Sequence, residues 1–189
     1  MTKKLVLLAV SAALAAPAAR GSELSPEVRA RAEKVAAALR TIEAALGSAD
    51  AGKRSMTFTE AEFNAWIAYR LEEEKEPTVK SAELKLLADD KVEGRIVLDL
   101  GKGQGGGLLA PRQDLLFSAR FETREGRIKI DMDSLFLGTQ KMSPAVIDIV
   151  IAVVARLQGA EPTSLRDWYD LPPGVLKLGT KPGRLVVIH

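Results

Sequence analysis

The stretch from Lys80 to Phe136 constrains this chain more than any other. Apolar and polar side chains alternate through it with a period of two, the pattern of strands with one wet and one dry face. Ala82, Leu84 and Leu86 alternate with Ser81, Glu83 and Lys85. After a turn at Asp89-Asp90, Val92, Ile96, Leu98 and Leu100 share a face with Gly94, opposed by Glu93, Arg95 and Asp99. A second hairpin repeats the plan. Leu115, Phe117, Ala119 and Phe121 are matched across a turn at Glu125-Gly126 by Ile128, Ile130, Met132 and Phe136, with Arg120, Glu122, Arg124, Arg127, Lys129, Asp131 and Asp133 opposite. Each strand reads as about nine to eleven residues, against the usual five or six. Strands of that length accumulate twist and curl. One apolar face needs a cover on one side only.

Helices supply the cover. Ser25-Pro26 caps and starts the first, Glu27 suits its positive end, and Gly47 closes it. Val28, Ala32, Val35, Leu39, Ile42 and Leu46 form its apolar stripe. The second helix begins at Thr59, whose three-residue offset to Glu62 is that of a capping box, with Phe58 and Phe63 placed as a hydrophobic staple. Phe63, Ile67 and Leu71 then share one side, flanked by Trp66. Asn64 falls at the border of that stripe, so its amide is expected to bond backbone groups of a neighbouring strand or loop and to fix how the helix docks. Ser143-Pro144 opens a third helix that runs to Gly159 with apolar residues over more than half its circumference. At about 1.5 Å per residue it is about 20 Å long, too short to span a bilayer. Beyond Pro172-Pro173, the segments Val175–Leu178 and Leu185–Ile188 read as two short strands around the turn GTKPG. The expected fold is α+β: a curved, mostly antiparallel sheet of five to six strands, with a central apolar helix and two N-terminal helices.

The first residues read as a targeting segment. Lys3 and Lys4 precede the apolar run Leu5–Ala16, and small residues follow at Ala16–Ala19. This divides the chain into a signal peptide over 1–19, an amphipathic helix and connector over 20–56, and an α+β domain over 57–189, and it predicts a periplasmic or secreted protein. Without Lys3 and Lys4 the balance of 27 basic and 25 acidic residues becomes 25 against 25. No field for nucleic acid remains. There is no cysteine, so disulfides, thiolate metal sites and cysteine nucleophiles are excluded. The sole histidine is His189, which leaves no Ser-His-Asp triad in the domain interior and no His-rich metal site.

The remaining motifs read as structure. Gly101, Gly103 and Gly106 have the spacing of a dinucleotide loop, but a strand follows where a helix would have to hold the phosphate. The segment reads instead as a connector with an apolar Leu108-Leu109 tip, which could touch lipid. Asp131 and Asp133 share a strand face with Lys129, Arg127 and Arg120, a solvated mixed-charge surface rather than a cation site. Asp148 sits early in the third helix, where the dipole favours it. Trp66, Tyr69, Trp168 and Tyr169 either pack at the core rim or line a pocket or membrane surface. No catalytic residue, cofactor site or metal site is expected. The apolar surplus is the informative feature. If helices and sheet do not close on one another, an apolar groove lined by Trp66, Phe117, Phe121, Met132, Phe136, Ile147, Val150 and Val154 remains, and such a groove suits an acyl chain.

The order TFTEAEFNAWI, then LLFSARFETREGRIKIDMDSLFLGTQKMSPAVIDIVI, then LPPGVLKLGTKPGRLVVIH, resembles small bacterial envelope proteins related to LmeA-type periplasmic phospholipid-binding proteins, which are similar to the tubular lipid-binding (TULIP-like) fold. The resemblance covers Thr57 to His189. It matches Asn64, Gly138, Pro144 and Gly174 as structural positions, beside the helix start at Thr59 and Glu62, and carries over no catalytic residue. It implies a non-catalytic binder of lipid or another apolar ligand, with peripheral membrane contact as a further expectation. The alternative is a structural or interaction module of the envelope with a closed core and no ligand.

Overall fold

The computed structural model describes residues 24–46, 53–74, 79–99, 112–143, 145, 148, 164 and 166–189. The expected targeting segment, the glycine-rich connector, Pro144 and most of the span expected to form the third helix lie outside the described residues. The fold is α+β, with a curled antiparallel sheet. Helices α1 (Pro26–Ala44) and α2 (Glu60–Glu74) flank strand β1 (Ser55–Thr59), and the strands of the main sheet follow: β2 (Val79–Leu86), β3 (Lys91–Asp99), β4 (Arg112–Arg124) and β5 (Arg127–Leu137). Two short strands, β6 (Gln140–Lys141) and β7 (Tyr169–Asp170), both pair with β5, at opposite ends of it. The main sheet runs in the order β2-β3-β4-β5-β6.

Both long hairpins form as the alternation predicts, and their turns explain their register. Asp89 and Asp90 both have φ of 58°, and Glu125 and Gly126 have 51° and 71°. Positive φ at both central residues is what a two-residue turn needs to match the twist of its flanking strands.

The tail pair, β8 (Lys177–Lys181) and β9 (Arg184–Ile188), does not extend this sheet. It joins β1 in a separate three-stranded sheet of order β1-β9-β8. Ser55–Phe58 therefore enters α2 as a strand paired over a long sequence separation, Phe58 opposite Leu185 and Met56 opposite Val187. Five residues are too few for alternation to declare themselves a strand, and the partner lies at the far end of the sequence.

The two sheets meet end to side. The free edge of β8 is closed by side chains and turns of the main sheet. Asp90 Oδ1 accepts from Thr180 N–H at 2.9 Å, Thr123 Oγ1 donates to the Leu178 carbonyl at 3.0 Å, and Gly126 N–H donates to the Leu176 carbonyl at 3.2 Å. The closed core fills the space at this joint: Leu86, Phe121 and Ile128 from the main sheet, Phe58, Leu185 and Val187 from the small one, Val35 and Ile42 from α1, and Leu171 and Val175 from the tail.

The helix starts are as read. Ser25 Oγ accepts from Val28 N–H at 3.3 Å. Glu62 and Thr59 form the reciprocal capping box, with Glu62 Oε2 accepting from Thr59 N–H at 2.8 Å and Thr59 Oγ1 accepting from Glu62 N–H at 3.2 Å. A hydrogen bond from Lys34 of α1, followed by the one from Thr59, holds the Glu62 carboxyl below the usual carboxylate range. The helices are antiparallel, since Arg29 pairs with Glu72 while Lys34 pairs with Glu62. Leu46, expected on the α1 stripe, falls past the last helical turn and is 57% exposed.

Candidate functional site

α2 is wedged along the outer edge of β2, and its side chains act as a further strand would. In an antiparallel sheet every second residue of an edge strand points its N–H and C=O away from the ladder. On β2 these residues include Leu84 and Leu86. Asn64 Nδ2 donates to the Leu84 carbonyl at 2.7 Å, and Asn64 Oδ1 accepts from Leu84 N–H at 2.8 Å. Glu60 Oε2 accepts from Leu86 N–H at 2.7 Å, and the Leu86 carbonyl accepts from Gly183 N–H at 2.9 Å. The amide that interrupts the apolar stripe of α2 is thus a docking device, as expected from its border position.

From that edge, rows of side chains cross the apolar face of the sheet. One row runs Leu84, Gly94, Phe117, Leu135 and the next Leu86, Val92, Ala119, Met132. Gly94 is there because Phe117 lies over it. A Cβ at residue 94 would stand 2.1 Å from Phe117 Cζ. Gly94→Ala should therefore force Phe117 off the sheet and cost about 2 kcal/mol. The double variant with Phe117→Leu should recover part of that in urea denaturation, and an unperturbed single variant would show that the ring is free to move aside.

The expected groove residues separate into three groups. Phe117 and Met132 share the apolar face and are half-buried. Phe121 and Trp66 belong to or pack on the closed core, Trp66 stacked on Phe63 with ring centroids 5.7 Å apart. Phe136 lies on the opposite face, a correction to the alternation reading. Between Ser118 and Ala119 the register slips by one residue of β5, leaving Asp133 as the extra residue of a bulge. Beyond it Leu135 and Leu137 take the apolar face, and Phe136 pairs with Leu116, which is 40% exposed. Sequence alternation has no way to register a single inserted residue. Ile147, Val150 and Val154 lie outside the described residues.

The polar candidates have structural partners. Arg95 donates to Asp114 at 2.8 Å, and that carboxylate raises the guanidinium pKa above its ordinary value. The pair borders an open depression of about 540 Å³ that Val97, Arg112, Gln113 and Gly138 also line. Gly138 makes the turn into β6 at φ of 59°. Asp131 stands opposite Arg120 on the charged face, and both Asp131 and Asp133 are exposed. No cluster of metal-ligating side chains occurs among the described residues. Asp148 Oδ1 accepts from Ser164 Oγ at 3.0 Å, and Tyr169 OH donates to the Ser164 carbonyl at 2.6 Å. Tyr69 OH donates to Glu73 at 2.6 Å, which raises the phenol pKa, and Arg127 stacks over Trp168 at 5.9 Å. The four amphipathic aromatics do not converge. Trp66 and Tyr69 ride on α2 beside β2, while Trp168 and Tyr169 lie beside β5, at the other side of the sheet. His189 Nε2 is buried without a hydrogen-bond partner among the described residues.

No family model, curated protein or solved structure matches the chain. Among the described residues no helix is long and apolar enough to cross a membrane.

Proposed function

We propose that the chain is an exported, non-catalytic protein that holds a lipid or other apolar ligand against the apolar face of its curled sheet, in the manner of the LmeA-type, TULIP-like envelope proteins it resembles. The supporting observation is that the apolar face continues past the closed core. The core ends near Leu86, Phe121 and Ile128. Ile96, Leu98, Leu115, Phe117, Met132 and Leu137 carry the same face onward as half-buried side chains around the fully buried Leu135. Each ligand methylene buried there would contribute about 0.8 kcal/mol, which needs shape and no reactive group. The chain purified without detergent should release lipid on solvent extraction, visible by mass spectrometry at a fixed ratio to protein. Phe117→Glu should abolish that load while the closed core keeps its cooperative melt. A chain that carries no lipid and takes up none from vesicles would refute the reading.

A second reading, an interaction module without ligand, is favoured by the closed core at the joint and by the charged lining of the depression beside Arg95 and Asp114. Lipid extraction separates the two.

A further inference from the structure

Three strands leave an outer edge near the joint of the two sheets, and two of those edges are bonded by groups from elsewhere in the fold. Asn64, Glu60 and Gly183 occupy that of β2; Asp90, Thr123 and Gly126 occupy that of β8. The edge of β1 is different. Arg54 and His189 exchange both backbone hydrogen bonds, at 2.8 and 2.9 Å, and Glu60 N–H donates to the Gly183 carbonyl at 2.9 Å. With antiparallel alternation between those points, Met56 and Phe58 direct their backbone groups at β9, while Ser55, Thr57 and Thr59 direct theirs outward. The Thr59 N–H is taken by Glu62. The N–H and C=O of Ser55 and of Thr57 have no partner among the described residues, and both side chains are exposed. Ser55–Thr59 is a short edge of five residues that carries no proline, bulge or inward-pointing charge, three of the devices that blunt an edge.

These groups are self-complementary. We propose that β1 is a self-association edge: two copies pair antiparallel through it, with Ser55 opposite Thr57 of the second copy and the two-fold axis at Met56. That register gives the N–H and C=O of both Ser55 and Thr57 a partner, because each Ser55–Thr57 pair exchanges both N–H···O bonds. It sets a hydroxyl beside a hydroxyl on the exposed face, a favourable cross-strand pair. The small sheets of the two copies become one continuous sheet, and neither edge remains open at the contact.

The chain lacks cysteine, so introduced thiols report without background. Hydrogen-bonded antiparallel partners have Cα atoms about 5.5 Å apart, within disulfide reach, whereas diagonal neighbours at about 7–8 Å are not. Mixed Ser55→Cys and Thr57→Cys chains should therefore form a disulfide-linked dimer under mild oxidant several-fold faster than either variant alone. Sedimentation should show the unaltered chain moving to the dimer mass as concentration rises. Thr57→Pro should stay monomeric with an unchanged melting temperature at low concentration, because Thr57 N–H gives nothing to β9. An unaltered chain that remains monomeric at all concentrations, a Thr57→Pro variant that still dimerises, or crosslinking of the mixture no faster than that of the single variants would each overturn the proposal.

Discussion

Replacing Asn64 with leucine should destabilise the protein by about 3 kcal/mol, since a part-buried N–H and a part-buried C=O on Leu84 would both lose their partner. For a chain of this size that is a fall of about 6–12 °C in melting temperature. The substitution adds apolar surface to a helix stripe that is already apolar, so hydrophobicity alone predicts the opposite sign. The two ends of the amide can be separated. Asn64→Asp keeps an acceptor for Leu84 N–H but sets a carboxylate oxygen against the Leu84 carbonyl, 2.7 Å from the position now held by Nδ2. It should cost at least as much as leucine at neutral pH and recover in part where the carboxyl is protonated. Hydrogen exchange gives a local readout, since the Leu84 amide should lose protection in both variants. An Asn64→Leu variant as stable as the original would mean that water serves the β2 edge equally well.

Gly174→Ala should cost about as much, by two separable routes. Residue 174 has φ of 83°, and a Cβ there would lie 2.7 Å from Ile42 Cγ2 and 3.1 Å from the Ile42 carbonyl oxygen. The left-handed backbone costs a non-glycine residue about 1–2 kcal/mol, and overpacking against α1 adds about 1–3 kcal/mol. Gly183 provides an internal control. It has φ of 68°, with nothing within 4 Å of a built Cβ. Gly183→Ala should thus show the backbone cost alone, and the difference between the two variants in urea denaturation measures how tightly α1 seats on the tail turn. Ile42→Leu removes the Cγ2 branch, so it should restore part of the loss in Gly174→Ala and none in Gly183→Ala. Equal effects at the two glycines would show that α1 retreats from the turn at no cost.

Much of this was legible because it is local. The capping box at Thr59 and Glu62, the Ser25 cap and the turns at Asp89-Asp90 and Glu125-Gly126 each depend on residues within one turn of chain. The docking role of Asn64 was legible for a related reason: an amide at the margin of an apolar stripe must find polar partners, and a sheet edge is what supplies them. Phe136 was misplaced because its side depends on one unpaired residue, Asp133, and on the register of a partner strand. The candidate groove was therefore only half readable. Alternation correctly joins Phe117 to Met132, yet it cannot tell that Phe121 is consumed by the closed core while Phe117 is not. That depends on where the small sheet docks.

The amino-acid sequence by itself determined the helix starts, the two long hairpins, their single apolar face and the α+β class, because periodicity and capping are short-range and each residue carries its own preference. The tertiary structure alone decided that Ser55–Thr59 pairs with the last strand, that the tail builds a second sheet, and that Asp90, Thr123 and Asn64 bond two strand edges while Ser55 and Thr57 on β1 have no such partner among the described residues. Those outcomes rest on contacts between residues up to about 130 positions apart in the chain. Such pairings are selected by the combined burial and hydrogen bonding of the whole fold, and no short window of sequence contains them.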